Sequence, residues 1–142
     1  MKKYKIIIDT NLWISLLIGK RLSELRLLCN SEFISVYLCD ELKAEFMRIA
    51  YQEKIRKYTT EDRIIQTLEL MEVSCVWSSI TNAIVSSRLR DSEDLYLLAF
   101  ADTVRADYIL TGDKDLLVLQ THNQAKIVTY REFVMITNII RK

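Results

Sequence analysis

Hydrophobic positions fall along the chain in two alternating kinds of run. Tyr4 to Ile8 is a short apolar segment, followed by a stretch with helical spacing from about Asn11 to Cys29. Phe33 to Cys39 is rich in β-branched and aromatic residues, which predicts a second strand. Asp40 is placed to cap the next helix, Glu41 to Ala50, by accepting from the free amides of its first turn. A further helix is expected from Thr60 to Met71, with Thr59 and Asp62 at capping-box spacing, and a short strand from Cys75 to Trp77. Ile80 to Arg90 has no clear period. Asp91 or Ser92 opens a helix through about Val104, Tyr108 to Thr111 is a strand closed by a turn at Gly112, and Lys126 to Thr129 is the last strand. Thr129 and Glu132 form a capping box for a terminal helix through Ile139. Apolar strands alternating with helices predict an α/β fold, with a parallel sheet covered on both faces in one domain over residues 1–142.

Composition narrows the chemistry. Two glycines and no proline among 142 residues exclude linker-rich and low-complexity readings, and no Gly-rich phosphate loop can be built. Cys29, Cys39 and Cys75 form no CxxC pair and sit among apolar neighbours, as expected of buried thiols in a reducing cytoplasm. His122, the one histidine, lies in a polar THNQ stretch and is expected in a loop, so a paired-histidine ribonuclease and a Ser-His-Asp triad are excluded. Asp9 and Asn11 interrupt the apolar N-terminus, so no leader or membrane span is expected there. With 20 basic and 19 acidic residues, the formal charge is +1, which first argues against nucleic acid held by bulk positive charge.

Several acids stand where apolar residues belong. Asp9 follows Ile6, Ile7 and Ile8, and Asp113 follows Tyr108 to Thr111, so two strands each deliver an Asp to the carboxyl edge of the sheet, where parallel α/β folds bind ligands. Glu45 falls within the stripe of Leu42, Phe46 and Ile49, where a carboxylate needs a partner, either a Lys or Arg, the rim of the stripe, or a metal. Asp94 leads the stripe of Leu97, Leu98 and Ala101, with Asp91 one turn earlier on the same side. Gathered together, Asp9, Glu45, Asp94 and Asp113 would repel one another unless a cation intervened. Oxygen ligands alone suit a hard ion, Mg²⁺ or Mn²⁺, and such a cluster fits metal-assisted phosphodiester hydrolysis.

These segments resemble the PIN-domain nucleases, most closely the VapC-like toxin ribonucleases of bacterial toxin–antitoxin pairs. The resemblance rests on Ile8-Asp9-Thr10-Asn11, on Glu41-Leu42 with Glu45, on Asp91-Ser92-Glu93-Asp94, and on the block from Ala106 to Leu117 containing Thr111-Gly112-Asp113-Lys114-Asp115. It implies a three-layer α/β/α domain with a central parallel sheet and a Mg²⁺- or Mn²⁺-dependent endoribonuclease. Asp9, Glu45, Asp94 and Asp113 would be its catalytic and metal-binding acids, Asp91 and Asp115 supporting acids, and Asn11 and Thr111 supporting polar groups. Either Asp113 or Asp115 is the nearer acid, with one or two ions bound. Ser92 stands where related sequences often carry Pro. RNA is the implied substrate and a small antitoxin protein the implied partner, with a homodimer allowed and no membrane involved.

Arg88 and Arg90 are candidates to hold substrate phosphates, and Lys54, Arg56, Lys57 and Tyr58 form a basic–aromatic patch that is either an RNA contact or a solvated face. Trp13 and Trp77 are expected in the core. Two other readings share the size and class. One is a receiver-like Mg²⁺-binding phospho-acceptor domain, which would need an Asp at the end of a middle strand, and Cys75 to Ser79 has none. The other is a PIN-like RNA-binding scaffold without catalysis. With the candidate acids set aside, the remaining charge turns basic, so near-neutrality fits a negative pocket within a positive surround.

Overall fold

The computed structural model describes residues 3–81 and 92–137, with the backbone alone at 92–94. Its elements in chain order are β1 (Tyr4–Ile8), α1 (Thr10–Ile18), α2 (Leu22–Asn30), β2 (Ile34–Leu38), α3 (Asp40–Ala50), α4 (Glu53–Arg56), α5 (Glu61–Ser74), β3 (Val76–Trp77), α6 (Ser92–Val104), β4 (Tyr108–Leu110), α7 (Lys114–Leu117), β5 (Thr121–His122), β6 (Ala125–Val128) and α8 (Tyr130–Thr137). The six strands form one sheet in the order β3-β2-β1-β4-β6-β5. Every pairing is parallel except β5 with β6 at one edge.

This order follows from where the apolar residues lie. Ile6, Ile7 and Ile8 are fully buried, as a strand flanked on both edges and covered on both faces must be, and β1 sits at the centre. β2 instead alternates buried and half-buried positions. The chain leaves β1 toward β2 and β3, then returns across to β4, so the strand order reverses between β1 and β4. Right-handed crossovers put the α1–α5 segment on one face and α6 on the other, giving an α/β/α arrangement. Among the described residues, no helix is long and apolar enough to cross a membrane.

Local chemistry moves several boundaries. The helix expected through Cys29 breaks in two. Lys20 takes a left-handed φ of 58°, and the Arg21 amide reaches back to the Leu16 carbonyl at 2.9 Å, closing α1 as a helix C-terminus closes. Asp40 lies inside α3, with Cys39 at the cap position and no side-chain cap bond, so its carboxylate meets the helix dipole rather than capping. At α5 the cap is Thr60, whose hydroxyl accepts from the Arg63 amide at 3.3 Å, in place of the Thr59–Asp62 pair, and the helix runs on to Ser74. The Thr129–Glu132 box forms as expected, with reciprocal bonds of 2.9 and 3.1 Å.

Neither glycine has a positive φ, and a Cβ at Gly112 would meet nothing within 4 Å, so this turn does not need glycine's conformational freedom. Gly112→Ala should leave the thermal midpoint unchanged or raise it, by up to about 1 kcal/mol of stability, in a calorimetric melt.

Trp13 is buried as expected, whereas Trp77 is half-buried with Lys43 over its ring. Cys29 and Cys39 are buried free thiols, and burial pushes Cys39 up to about 12. Cys75 is only half-buried, and its thiol is pushed up first by a hydrogen bond with Cys29 and then by burial.

Candidate active site

The site is built where β1 and β4 end side by side. Ile8 pairs with Leu110, and the Asp9 amide donates to the Leu110 carbonyl at 2.9 Å, so the strand-end residues stay in register past the last paired position. Here the strand order reverses, and the crevice outside such strand ends is the usual ligand position in parallel α/β sheets.

Asp9 occupies the N-terminal boundary of α1 without making a side-chain cap bond. Its Oδ2 accepts from the Thr111 hydroxyl at 2.7 Å, and the Thr111 oxygen in turn accepts from the Asp113 amide at 3.0 Å. A fully buried threonine therefore ties together the acids that end the two strands. Thr111→Val keeps the shape but strips a bond from a buried carboxylate and one from an amide. It should cost about 2 kcal/mol of stability, read in urea unfolding.

Asp9 is only 8% exposed. Burial raises its pKa above the usual carboxylate value. The Thr111 bond and the Thr10 amide oppose that rise, and the negative charges of Glu45 and Asp113 add to it. Asp9 thus feels the charges of both Glu45 and Asp113, although the three come from the end of β1, from α3 and from the β4–α7 turn.

Glu45 is half-buried on α3. Among the described residues its hydrogen-bond partner is the Tyr96 hydroxyl of α6, which donates to Oε1 at 3.1 Å. Burial raises the Tyr96 pKa most, the Thr10 hydroxyl beside it eases the rise, and Glu45 adds to it. Thr10 Oγ1 is itself buried and makes no bond of full hydrogen-bond geometry.

The other candidates are placed less centrally. Asp115 is exposed, and its amide donates to Asp113 Oδ1 at 2.9 Å, so Asp113 also caps the short α7. Asn11 and Lys114 are exposed. Arg88, Arg90 and Asp91 lie outside the described residues, as does the Asp94 side chain, although the Asp94 backbone begins α6. His122 is not a loop residue. It lies on β5, and its Nε2 meets the Asp102 carboxylate at 3.0 Å at the opposite edge of the sheet. A cavity of about 230 Å³ at that edge is lined by Asp102, Arg105, His122 and Asn123, remote from the strand-end acids. The basic–aromatic patch follows the end of α3 away from Asp9, with Tyr58 exposed and Arg56 stacked over Tyr51 at 5.7 Å.

Tyr96 and Thr10 are the site's neighbours that sequence reasoning passed over. Thr10 was signalled by its place directly after a strand-end acid, Tyr96 only by lying on the helix that Asp94 opens.

Among the described residues no three acids stand close enough to hold a metal ion by themselves. The donors present are nevertheless of the right kind. Asp9 carries a charge that its surroundings disfavour, all the candidate ligand atoms are oxygens, and the Thr10 hydroxyl is a buried oxygen without a bond. A hard divalent cation would offset the mutual repulsion of these carboxylates.

No curated protein matches the chain. Residues 5–115, from β1 through the strand-end acids to the start of α7, match the sequence model of the PIN domain, so the chain belongs to the PIN-domain family, whose members are typically nucleases.

Proposed function

We propose that this chain is a Mg²⁺- or Mn²⁺-dependent endoribonuclease and the toxin of a toxin–antitoxin pair, acting in the cytoplasm. The observation that carries the reading is the state of Asp9. It is a buried strand-end carboxylate whose charge is opposed by its burial and by the charges of Glu45 and Asp113. A structural aspartate would more commonly be exposed or salt-bridged.

Asp9 and Asp94 are the acids assigned to direct metal contact, with Glu45 and Asp113 completing the set. When bound, the ion supplies positive charge to the scissile phosphate and lowers the pKa of a water. The rest is the work of side chains. Thr111 holds Asp9 Oδ2, fixing how that carboxylate faces the crevice. Glu45 orients the attacking water and takes its proton. Asp113 adds negative charge beside Asp9; Asp115, Asp91 and Asn11 support the acids, and Arg88 and Arg90 hold flanking phosphates. A small antitoxin is the proposed protein partner, with a homodimer as the proposed assembly.

Incubating the purified protein with tRNA and other structured RNAs tests this reading. Cleavage is expected with Mn²⁺ or Mg²⁺ and should stop with EDTA. Cleavage that resists the chelator contradicts the reading, and RNA binding without cleavage in either metal favours a scaffold.

A further inference from the structure

Tyr96 lies on α6 just past Asp94, and its hydroxyl crosses to α3 to donate to Glu45 Oε1 at 3.1 Å, joining residues 51 apart in the chain. It is a specific tie between Glu45 and the helix that begins with the Asp94 segment. A glutamate has three side-chain torsions, and a half-buried one without a tie samples several rotamers. A hydrogen bond to one carboxylate oxygen selects among them and leaves the second oxygen free to accept from another group. Tyrosine suits the task because a rigid ring carries its hydroxyl across the gap between two helices. A second residue of the site also lies beside that hydroxyl. Thr10, directly after Asp9, places its fully buried oxygen beside the Tyr96 oxygen. Tyr96 therefore stands between Glu45 and the turn that carries Asp9.

We propose that Tyr96 is a positioning residue, whose hydroxyl holds the Glu45 carboxylate in the orientation from which it acts on the attacking water. The proposal rests on the ribonuclease reading of the site.

The test compares the wild type, Tyr96→Phe, Glu45→Gln and the double variant in RNA cleavage, in Mn²⁺ binding followed by electron paramagnetic resonance, and in thermal melting. Tyr96→Phe should lower kcat roughly tenfold to a hundredfold, with KM changed less than about twofold. Its Mn²⁺ affinity should fall severalfold. Added to Glu45→Gln, the same change should have almost no further effect on either quantity, because a residue acting through Glu45 has nothing left to position. A purely structural tyrosine would instead multiply its effect fully on the Glu45→Gln background. That result overturns the proposal, as does Tyr96→Phe with wild-type kcat and Mn²⁺ affinity. If Tyr96→Phe melts much lower yet cleaves normally per folded molecule, the proposal is again overturned. Should the wild type neither cleave RNA nor bind Mn²⁺, the ribonuclease reading falls and this proposal with it. A working wild type with an unaffected Tyr96→Phe overturns the role of Tyr96 alone.

Discussion

Asp9→Asn should reduce RNA cleavage by roughly a thousandfold or more while leaving the metal-free fold as stable as the wild type or more so. The two halves of this expectation come from the same carboxylate. Its charge is what the proposed cation would bind, yet burial, Glu45 and Asp113 all oppose that charge in the fold. Asparagine keeps an oxygen for the Thr111 hydroxyl and removes the repulsion. The pH dependence follows from the direction of the shift. Folding raises the Asp9 pKa, so protonated Asp9 favours the folded state. That contribution is fully present below the ordinary carboxylate pKa of 3.8 and is lost as pH rises through the raised folded value. Metal-free wild type and Asp9→Asn should therefore melt alike at the acid end and separate as pH rises, with the variant higher by a few degrees at neutral pH. About 1 kcal/mol moves the midpoint of a domain of this size by roughly 4 °C. Mn²⁺ should raise the wild-type midpoint and leave that of the variant in place. Calorimetric melts across pH, with and without Mn²⁺, read all of this.

The second large effect lies under the site rather than in it. Trp13 on α1 is buried, and its ring meets Phe46 of α3 edge-on with centroids 6.5 Å apart. Phe46 directly follows Glu45, so this contact sets where α3 holds the carboxylate relative to the strand-end acids. Trp13→Ala should cost about 3–5 kcal/mol, a large share of the roughly 5–15 kcal/mol that stabilises a typical domain. The midpoint should fall by more than about 10 °C, and cleavage per folded molecule should also drop as α3 relaxes into the cavity. Trp13→Phe should be much milder. It keeps most of the ring and deletes an indole N–H that is buried without a partner. Circular dichroism melts beside activity assays separate the two variants.

The strands were legible because burial on both faces writes itself as unbroken apolar runs, as at Ile6–Ile8 and Tyr108–Leu110. Asp9 and Asp113 were legible as candidates for the same reason, since each ends such a run. The break at Lys20 was not, because apolar spacing continues through Leu16, Leu17 and Leu25 while the backbone turns left-handed between them. His122 was misplaced because a two-residue edge strand owes its existence to β6 and to Asp102, not to its own pattern. The spacing showed that Glu45 needed a partner but could not name Tyr96, which reaches it only once the sheet has brought α3 and the start of α6 together. The near-zero net charge decided little for a related reason, since a total does not say where in the fold the acids and bases lie.

The most direct measurement is a crystal of the wild-type protein soaked in Mn²⁺, with anomalous scattering collected at the manganese edge. A peak is expected about 2.1 Å from an Asp9 carboxylate oxygen, absent from Asp9→Asn crystals treated alike. No peak at Asp9 at saturating Mn²⁺, or a manganese bound elsewhere while Mn²⁺-dependent cleavage persists, would contradict it.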